Sequence, residues 1–230
     1  FAPSGYYFLT GGSDSTARLW TTDRTTPVRI FSGHQSPNVN SVTWHPNCNY
    51  VVTGSDDKTA RLWDIQSGRC VRLLSGCAAG VNVVTVCPSG RYVAGADYSG
   101  TVNIWELGTG RKVNELRPPI TSNKAANIIH SVAYSSCGTA LATGGEDCLV
   151  NIWDVRGVAN HMSDPDYAAA KGWGAYAPPM TMVTSSSNQP NNGEQNRFGM
   201  REPIRSFRTR HTSILDLFYT KRNLLLSVGN

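Results

Sequence analysis

The stretch GHQSPNVNSVTWHPNCNYVVTGSDDKTARLWD, residues 33–64, decides how this chain folds, because the rest of the sequence copies it. Its landmarks stand at fixed distances from Trp63: Asp57 six residues before it, Thr53 ten before it, and His34 far upstream. The runs ARLW, ARLW, VNIW and VNIW end at Trp20, Trp63, Trp105 and Trp153, separated by 43, 42 and 48 residues. Each Trp closes a unit made of a small residue, a short turn and an apolar alternation. Short alternating runs bounded by turn residues predict β-strands.

A period of about 40 to 45 residues carrying a Gly-His pair and a Trp-Asp pair resembles the WD40 repeat, a four-stranded blade of a β-propeller. That resemblance implies a structural tetrad of His34, Thr53, Asp57 and Trp63. The chemistry agrees, since a buried carboxylate and imidazole must pair or carry a desolvation cost, and a linked chain of donors and acceptors also fixes strand register. Partial tetrads are expected at Asp14 and Trp20, and at Thr143, Asp147 and Trp153. Asp57, His34 and a hydroxyl could also be read as a hydrolase triad. Recurrence of the Asp and Trp in other copies favours scaffolding over a single active site, and no catalytic residue is assigned.

Taken in order, YYFLT, ARLW and PVRIF predict three strands, and the strand that should precede them is missing. VNSVTW, YVVTG, TARLWD and CVRLL complete the first full repeat. The next copy, with VNVVTV, RYVAG, TVNIWE and KVNEL, has Cys77, Gly95 and Ser99 where His34, Thr53 and Asp57 are expected. Its tetrad is therefore lost, and Trp105 is expected to pack without a polar network. GTGRK at 108–112 lacks the spacing of a phosphate loop and aligns with the hairpin of the preceding copy, so a turn is expected there. The fourth copy uses IIHSVAY, ALATG, LVNIWD and IRSFR, and ILDLFY and NLLLSVG follow. Seventeen strands make a little over four blades. WD40 propellers usually close with seven, and an open ring leaves faces and edges bare. The chain, 1–230, is thus expected to be a C-terminal part of a longer propeller.

Residues 157–202, rich in Ala, Pro, Ser, Asn and Gly, separate the third and fourth strands of the fourth copy. This insertion is expected to be an extruded, largely disordered loop. Trp173, with Tyr167 and Tyr176, forms an aromatic group able to dock on a partner.

Composition sets further bounds. Hydrophobic residues make up 40 % of the chain and charged ones 16 %, enough apolar content for one packed all-β domain. No charged start followed by an apolar run suggests a signal peptide, and no run of about eighteen apolar residues implies a membrane span. The six cysteines have no paired spacing and read as small, partly buried thiols of a reducing compartment. His45 and Cys48 lack a second ligand pair, so neither metal nor cofactor is expected. The net charge is +5, and seven of the 21 Lys and Arg side chains lie in the last 34 residues. No aromatic-interleaved or zinc-finger motif accompanies them, so a solvated strand edge is preferred to a specific nucleic-acid site.

The wording of the repeats narrows the family further. TARLWTTDRTTPVRIFSGH, NVNSVTWHPNCNYVVTGSDDKTARLWDIQSGRCVRLLSG and PIRSFRTRHTSILDLFYTKRNLLLSVG resemble the C-terminal propeller of the TBP-associated factor 5 family, subunits of TFIID that some organisms share with the SAGA coactivator. The resemblance implies a non-enzymatic scaffold in the nucleus, whose partners are other TBP-associated factors including histone-fold subunits. The residues agree, since no nucleophile elbow or metal set stands outside the repeat frame. A second reading comes from Trp153, Asp154, Val155 and Arg156, which match the WDxR pattern of cullin-ligase substrate receptors, with Arg156 as the adaptor contact. A G-protein-β-like propeller ranks lower, for want of a coiled-coil helix.

Overall fold

The computed structural model describes residues 1–118, 128–156, 202–209 and 212–229. Most of the 157–202 insertion, with Trp173, lies outside the described residues, as do Arg210 and His211. Blade one contains β1 (Tyr7–Gly11), β2 (Thr16–Thr21) and β3 (Arg29–Ser32). Blade two contains β4 (Val39–Trp44), β5 (Tyr50–Ser55), β6 (Ala60–Asp64) and β7 (Cys70–Leu74). Blade three contains β8 (Val81–Val86), β9 (Tyr92–Asp97), β10 (Val102–Glu106) and β11 (Lys112–Leu116). Blade four contains β12 (Ile129–Tyr134), β13 (Ala140–Gly145), β14 (Leu149–Asp154) and β15 (Arg205–Arg208), and β16 (Ile214–Tyr219) pairs with β17 (Leu225–Gly229).

Every sheet is antiparallel with its strands in sequence order, and the inner strands carry the ring: β4 packs on β8, β8 on β12 and β12 on β16. The chain is therefore an all-β propeller of about four blades. Expected and observed strands agree closely; β1, for example, begins at Tyr7 rather than Tyr6.

Two local devices shape each blade. The turn after the second strand holds one residue in the left-handed region at the same place in every copy: Ser15 (φ 66°), Lys58 (65°), Gly100 (79°) and Cys148 (57°). Only glycine enters this region without steric cost. At three of the four, the preceding Asp offsets that cost by accepting the backbone N–H two residues on, from Thr16, Thr59 and Leu149 at 3.2, 3.0 and 3.0 Å. The second device is a bulge near the start of each inner strand, at Val39/Ser41, Val81/Val83, Ile129/Ser131 and Ile214/Asp216. A bulge bends its strand and re-aims a side chain.

The core lies between blades. Trp63, Trp105 and Trp153 are almost fully buried, each backed by aliphatic side chains of its own and the neighbouring sheet. Burying an aromatic of this size removes a large apolar area from water and contributes about 1.5 to 3 kcal/mol or more. Gly54 shows how tight the seams are, since a Cβ there would stand 2.8 Å from the Val81 side chain.

Candidate functional site

The four residues singled out around Trp63 meet in one buried chain of hydrogen bonds. Trp63 Nε1 donates to Thr53 Oγ1 at 2.9 Å, and Thr53 Oγ1 lies 2.7 Å from His34 Nε2. His34 Nδ1 lies 2.8 Å from Asp57 Oδ2, which also accepts the backbone N–H of Gln35 at 3.0 Å. The strand spacing explains the meeting. Val51 pairs with Trp63 across β5 and β6, so the Thr53 hydroxyl, two residues along the same face, stands beside the indole. Asp57 in the following turn then reaches the loop that carries His34.

Electrostatics support a neutral imidazole. Burial pushes the His34 pKa down, the Asp57 carboxylate pulls it back up, and burial wins, leaving it below 6.5. Burial pushes the Asp57 carboxyl up, but hydrogen bonds from Thr59, His34 and Gln35 outweigh it and hold the group below its ordinary value. Arg61 adds a guanidinium 3.6 Å from the same carboxylate. This set does not make a usable nucleophile: Thr53 is 1 % exposed and its hydroxyl is occupied by Trp63 and His34. What the set does is tie the loop entering the blade to its second and third strands.

The other copies vary this theme. In blade one Trp20 Nε1 donates to Thr10 Oγ1 at 2.9 Å, and Asp14 accepts from Thr16 and Arg18. In blade four Trp153 Nε1 donates to Thr143 Oγ1 at 3.0 Å. Asp147 there differs from Asp57: burial raises its pKa, and bonds from Leu149 and Asn151 do not compensate. In blade three no such tetrad surrounds Trp105, and its Nε1 donates instead to the Ser75 carbonyl at 2.8 Å. Gly95 makes this arrangement fit, its missing Cβ leaving room for the Trp105 ring 2.9 Å away. A carboxylate is present as well. Asp97, fully buried, accepts from Ala78 N at 3.2 Å as Asp57 does from Gln35, and from the Ser99 and Thr101 amides at 3.0 and 3.2 Å.

Thr10, Arg18, Arg61 and Asp97 are residues that sequence reasoning missed. The spacing of ten before Trp20 points to Thr10, and the shared pattern of Asp followed four residues on by Arg points to Arg18 and Arg61. Asp97 gave no such signal, being displaced by two residues from the repeat position. Among the other candidates, His45 Nε2 faces the Gly90 carbonyl at 2.8 Å and its Nδ1 accepts from Asn47 N at 3.2 Å, so both ring nitrogens are used within the protein. The 108–112 segment is a hairpin turn, with Gly110 N bonded to Glu106 O at 2.8 Å. All six cysteines are free, with Cys70 and Cys137 exposed. Arg156 is exposed and ion-paired with Asp154, its Nη2 lying 2.5 Å from Oδ2.

Repeated blades, buried Trp residues and a polar tetrad define a WD40 propeller. The family model "WD domain, G-beta repeat" matches residues 1–21, 25–64, 68–106 and 117–154, more than half of the chain, and the chain belongs to this family. Among curated proteins it is similar to "Transcription initiation factor TFIID subunit 5" of Caenorhabditis elegans, 47 % identical over 49 residues. That alignment covers 21 % of this chain and spans 7 % of the relative's length. WD40 domains are generally non-catalytic platforms for protein contacts.

Proposed function

We propose that this chain belongs to a non-enzymatic scaffold subunit of a general transcription initiation or coactivator complex of the TFIID or SAGA type, acting in the nucleus. Its partners in this reading are other TBP-associated factors, including histone-fold subunits. The observation that carries the proposal is the 47 % identity over 49 residues to a TFIID subunit 5. The geometry of blade two is in keeping with it, since its one His-Asp-hydroxyl set is buried and committed to holding strands. Affinity purification of the tagged protein from nuclear extract tests the reading, with TBP-associated factors expected in stoichiometric amounts.

One observation favours a second reading. Arg156 is 68 % exposed and completes the sequence Trp153, Asp154, Val155, Arg156 that substrate receptors of cullin ligases share. The same purification separates the two. Stoichiometric cullin adaptor, lost on Arg156→Ala, would replace the transcription assignment.

A further inference from the structure

Each four-stranded blade ends in an outer strand that pairs on one side only among the described residues, and the three such strands differ in how that edge is guarded. An unpaired edge invites a further strand, and charged side chains along it discourage one. On β11 this guard is Glu115, bridged by Lys112 Nζ at 2.9 Å and Arg117 Nη2 at 2.6 Å. β15 carries Arg205 and Arg208 on either side of Ser206 and Phe207. β7 is different. Leu73, one residue before the buried Leu74, holds the register position that Glu115 holds before Leu116, and it is 53 % exposed. Val71 is 37 % exposed, and the neutral, exposed Cys70 opens the strand.

The one charge on β7 is laid toward the next blade. Arg72 donates through Nη1 to Val71 O at 2.8 Å, and through Nε and Nη2 to Gly108 O at 3.3 and 3.1 Å. Leu74, fully buried in the cluster that holds Trp105, anchors the end of the strand. A surface already held in place costs a partner little ordering entropy. Its surroundings are basic. Arg69 and Arg111 follow Gly68 and Gly110 in equivalent hairpins, both exposed and neither in an ion pair among the described residues. The carboxylates at the base of those hairpins are engaged: Asp64 Oδ2 accepts from Ser67 N and Oγ at 2.9 and 2.5 Å, and Glu106 accepts from Arg91 and Thr109.

We propose that the outer edge of blade two is a docking surface for an acidic, extended segment of a partner protein, which lies along β7 as an added strand. Main-chain pairing holds such a segment, and side chains on alternate positions select it. Its apolar residues sit across from Val71 and Leu73 as cross-strand pairs do, and its carboxylates face the Arg69, Arg72 and Arg111 guanidiniums, whose forked donors match a carboxylate. The exposed apolar pair favours a protein over a nucleic acid, because a phosphate backbone has nothing to place on Val71 and Leu73. The surface is a property of blade two alone and does not depend on which complex the propeller joins.

Fluorescence anisotropy on the intact chain tests the proposal, with a labelled peptide of about eight residues alternating Glu and Val as the probe, long enough to span one strand. Saturable binding is expected, and a Lys-Val peptide of the same length should bind about tenfold more weakly, since it sets like charges together. Leu73→Glu, which gives β7 the guard that β11 has, should weaken binding by a similar factor and leave the melting temperature unchanged, because the side chain is half exposed. Val71→Glu makes the same test if Leu73→Glu fails to fold. Arg69→Ala combined with Arg111→Ala should weaken binding severalfold and flatten its dependence on salt. In hydrogen exchange, β7 amides should gain protection when the peptide is bound, and β11 amides should not. The proposal is overturned by a lack of saturable binding, by binding indifferent to the glutamate variants, or by a single-stranded DNA of matching length that binds more tightly than the peptide.

Discussion

His34 Nε2 and Thr53 Oγ1 lie 2.7 Å apart, and the direction of every proton around them follows from that contact. Trp63 can only donate, so Thr53 accepts from it and turns its own O–H toward His34. The ring then donates through Nδ1–H to Asp57 at 2.8 Å. Each hydrogen in this chain has one place to go, and an extra proton on His34 Nε2 would displace the Thr53 O–H from the contact it now fills.

Removing the terminal carboxylate therefore strands the others. Asp57→Ala is expected to destabilise the protein by about 1 to 3 kcal/mol, the cost of buried donors left unpaired. Ser99→Ala, at the same repeat position in blade three, should cost much less, because Asp97 retains the Ala78 and Thr101 amides. Chemical denaturation of the two variants checks this; equal losses would contradict the tetrad assignment.

Stability should also fall on acidification. The folded pKa of His34 lies below the ordinary 6.5, so the unfolded chain takes up the proton first. The contribution is complete above about pH 6.5 and is lost as pH falls toward the folded value. Asp57, also depressed, adds a second loss below its ordinary 3.8. Measured against pH, the unfolding free energy should decline from near pH 6.5 downward, and His34→Gln should flatten the upper part of that slope. A wild-type curve already flat between pH 7 and 5 would refute the neutral-imidazole account.

Asp147 should behave in the opposite sense. Its folded pKa is raised by burial, so the native state binds its proton first and gains stability as pH falls through that window. At neutral pH its charge is a burden. Asp147→Asn is expected to leave the melting temperature unchanged or raise it at pH 7, whereas Asp57→Asn should lower it. A thermal scan of the pair is sufficient.

Gly95→Thr restores the hydroxyl that other blades place opposite their Trp, yet it should destabilise the protein. The new Cβ would stand 2.9 Å from the Trp105 ring and 3.3 Å from Val84. Overpacking of this kind costs about 1 to 3 kcal/mol. A gain in stability would mean that Trp105 can return to the position Trp63 holds.

Replacement of 157–202 by a short Gly/Ser linker should preserve the melting temperature. β14 and β15 pair from Leu149 with Arg208 to Ile152 with Arg205, and further bonds join Ile204 N to Ile152 O at 2.7 Å and Thr209 N to Cys148 O at 2.9 Å. Loop closure adds only about 0.6 kcal/mol per doubling of length, so shortening changes little. A large fall in melting temperature would make the segment part of the fold.

The repeat made most of the fold legible. A fixed distance from each Trp places strands and turns together, and the Thr at minus ten and Asp at minus six are local to one hairpin. Thr53, Asp57 and Trp63 could be named for that reason, and His34, far upstream of the hairpin, through the resemblance to the WD40 repeat. Asp97 could not, because a carboxylate moved from a turn into a strand leaves no spacing to recognise. The seam residues were hidden for a different reason. Ser41 and Val84, or Arg72 and Gly108, lie roughly one repeat apart, and their partnership appears only when successive blades are laid side by side in space.

The bulge in each inner strand gives the repeats an address. It turns Ser41, Val83, Ser131 and Asp216 toward neighbouring blades, and the four differ in what they can offer: Ser131, for one, donates to Asp216 Oδ1 at 3.0 Å while accepting from Leu217 N. Exchanging blades two and three would set Val83 where Ser41 now accepts and would place the serine before blade four. The copies share one architecture but are not interchangeable tiles. Their sequence order is itself part of the design, and a shuffled propeller with the same composition and the same strands would be a different machine.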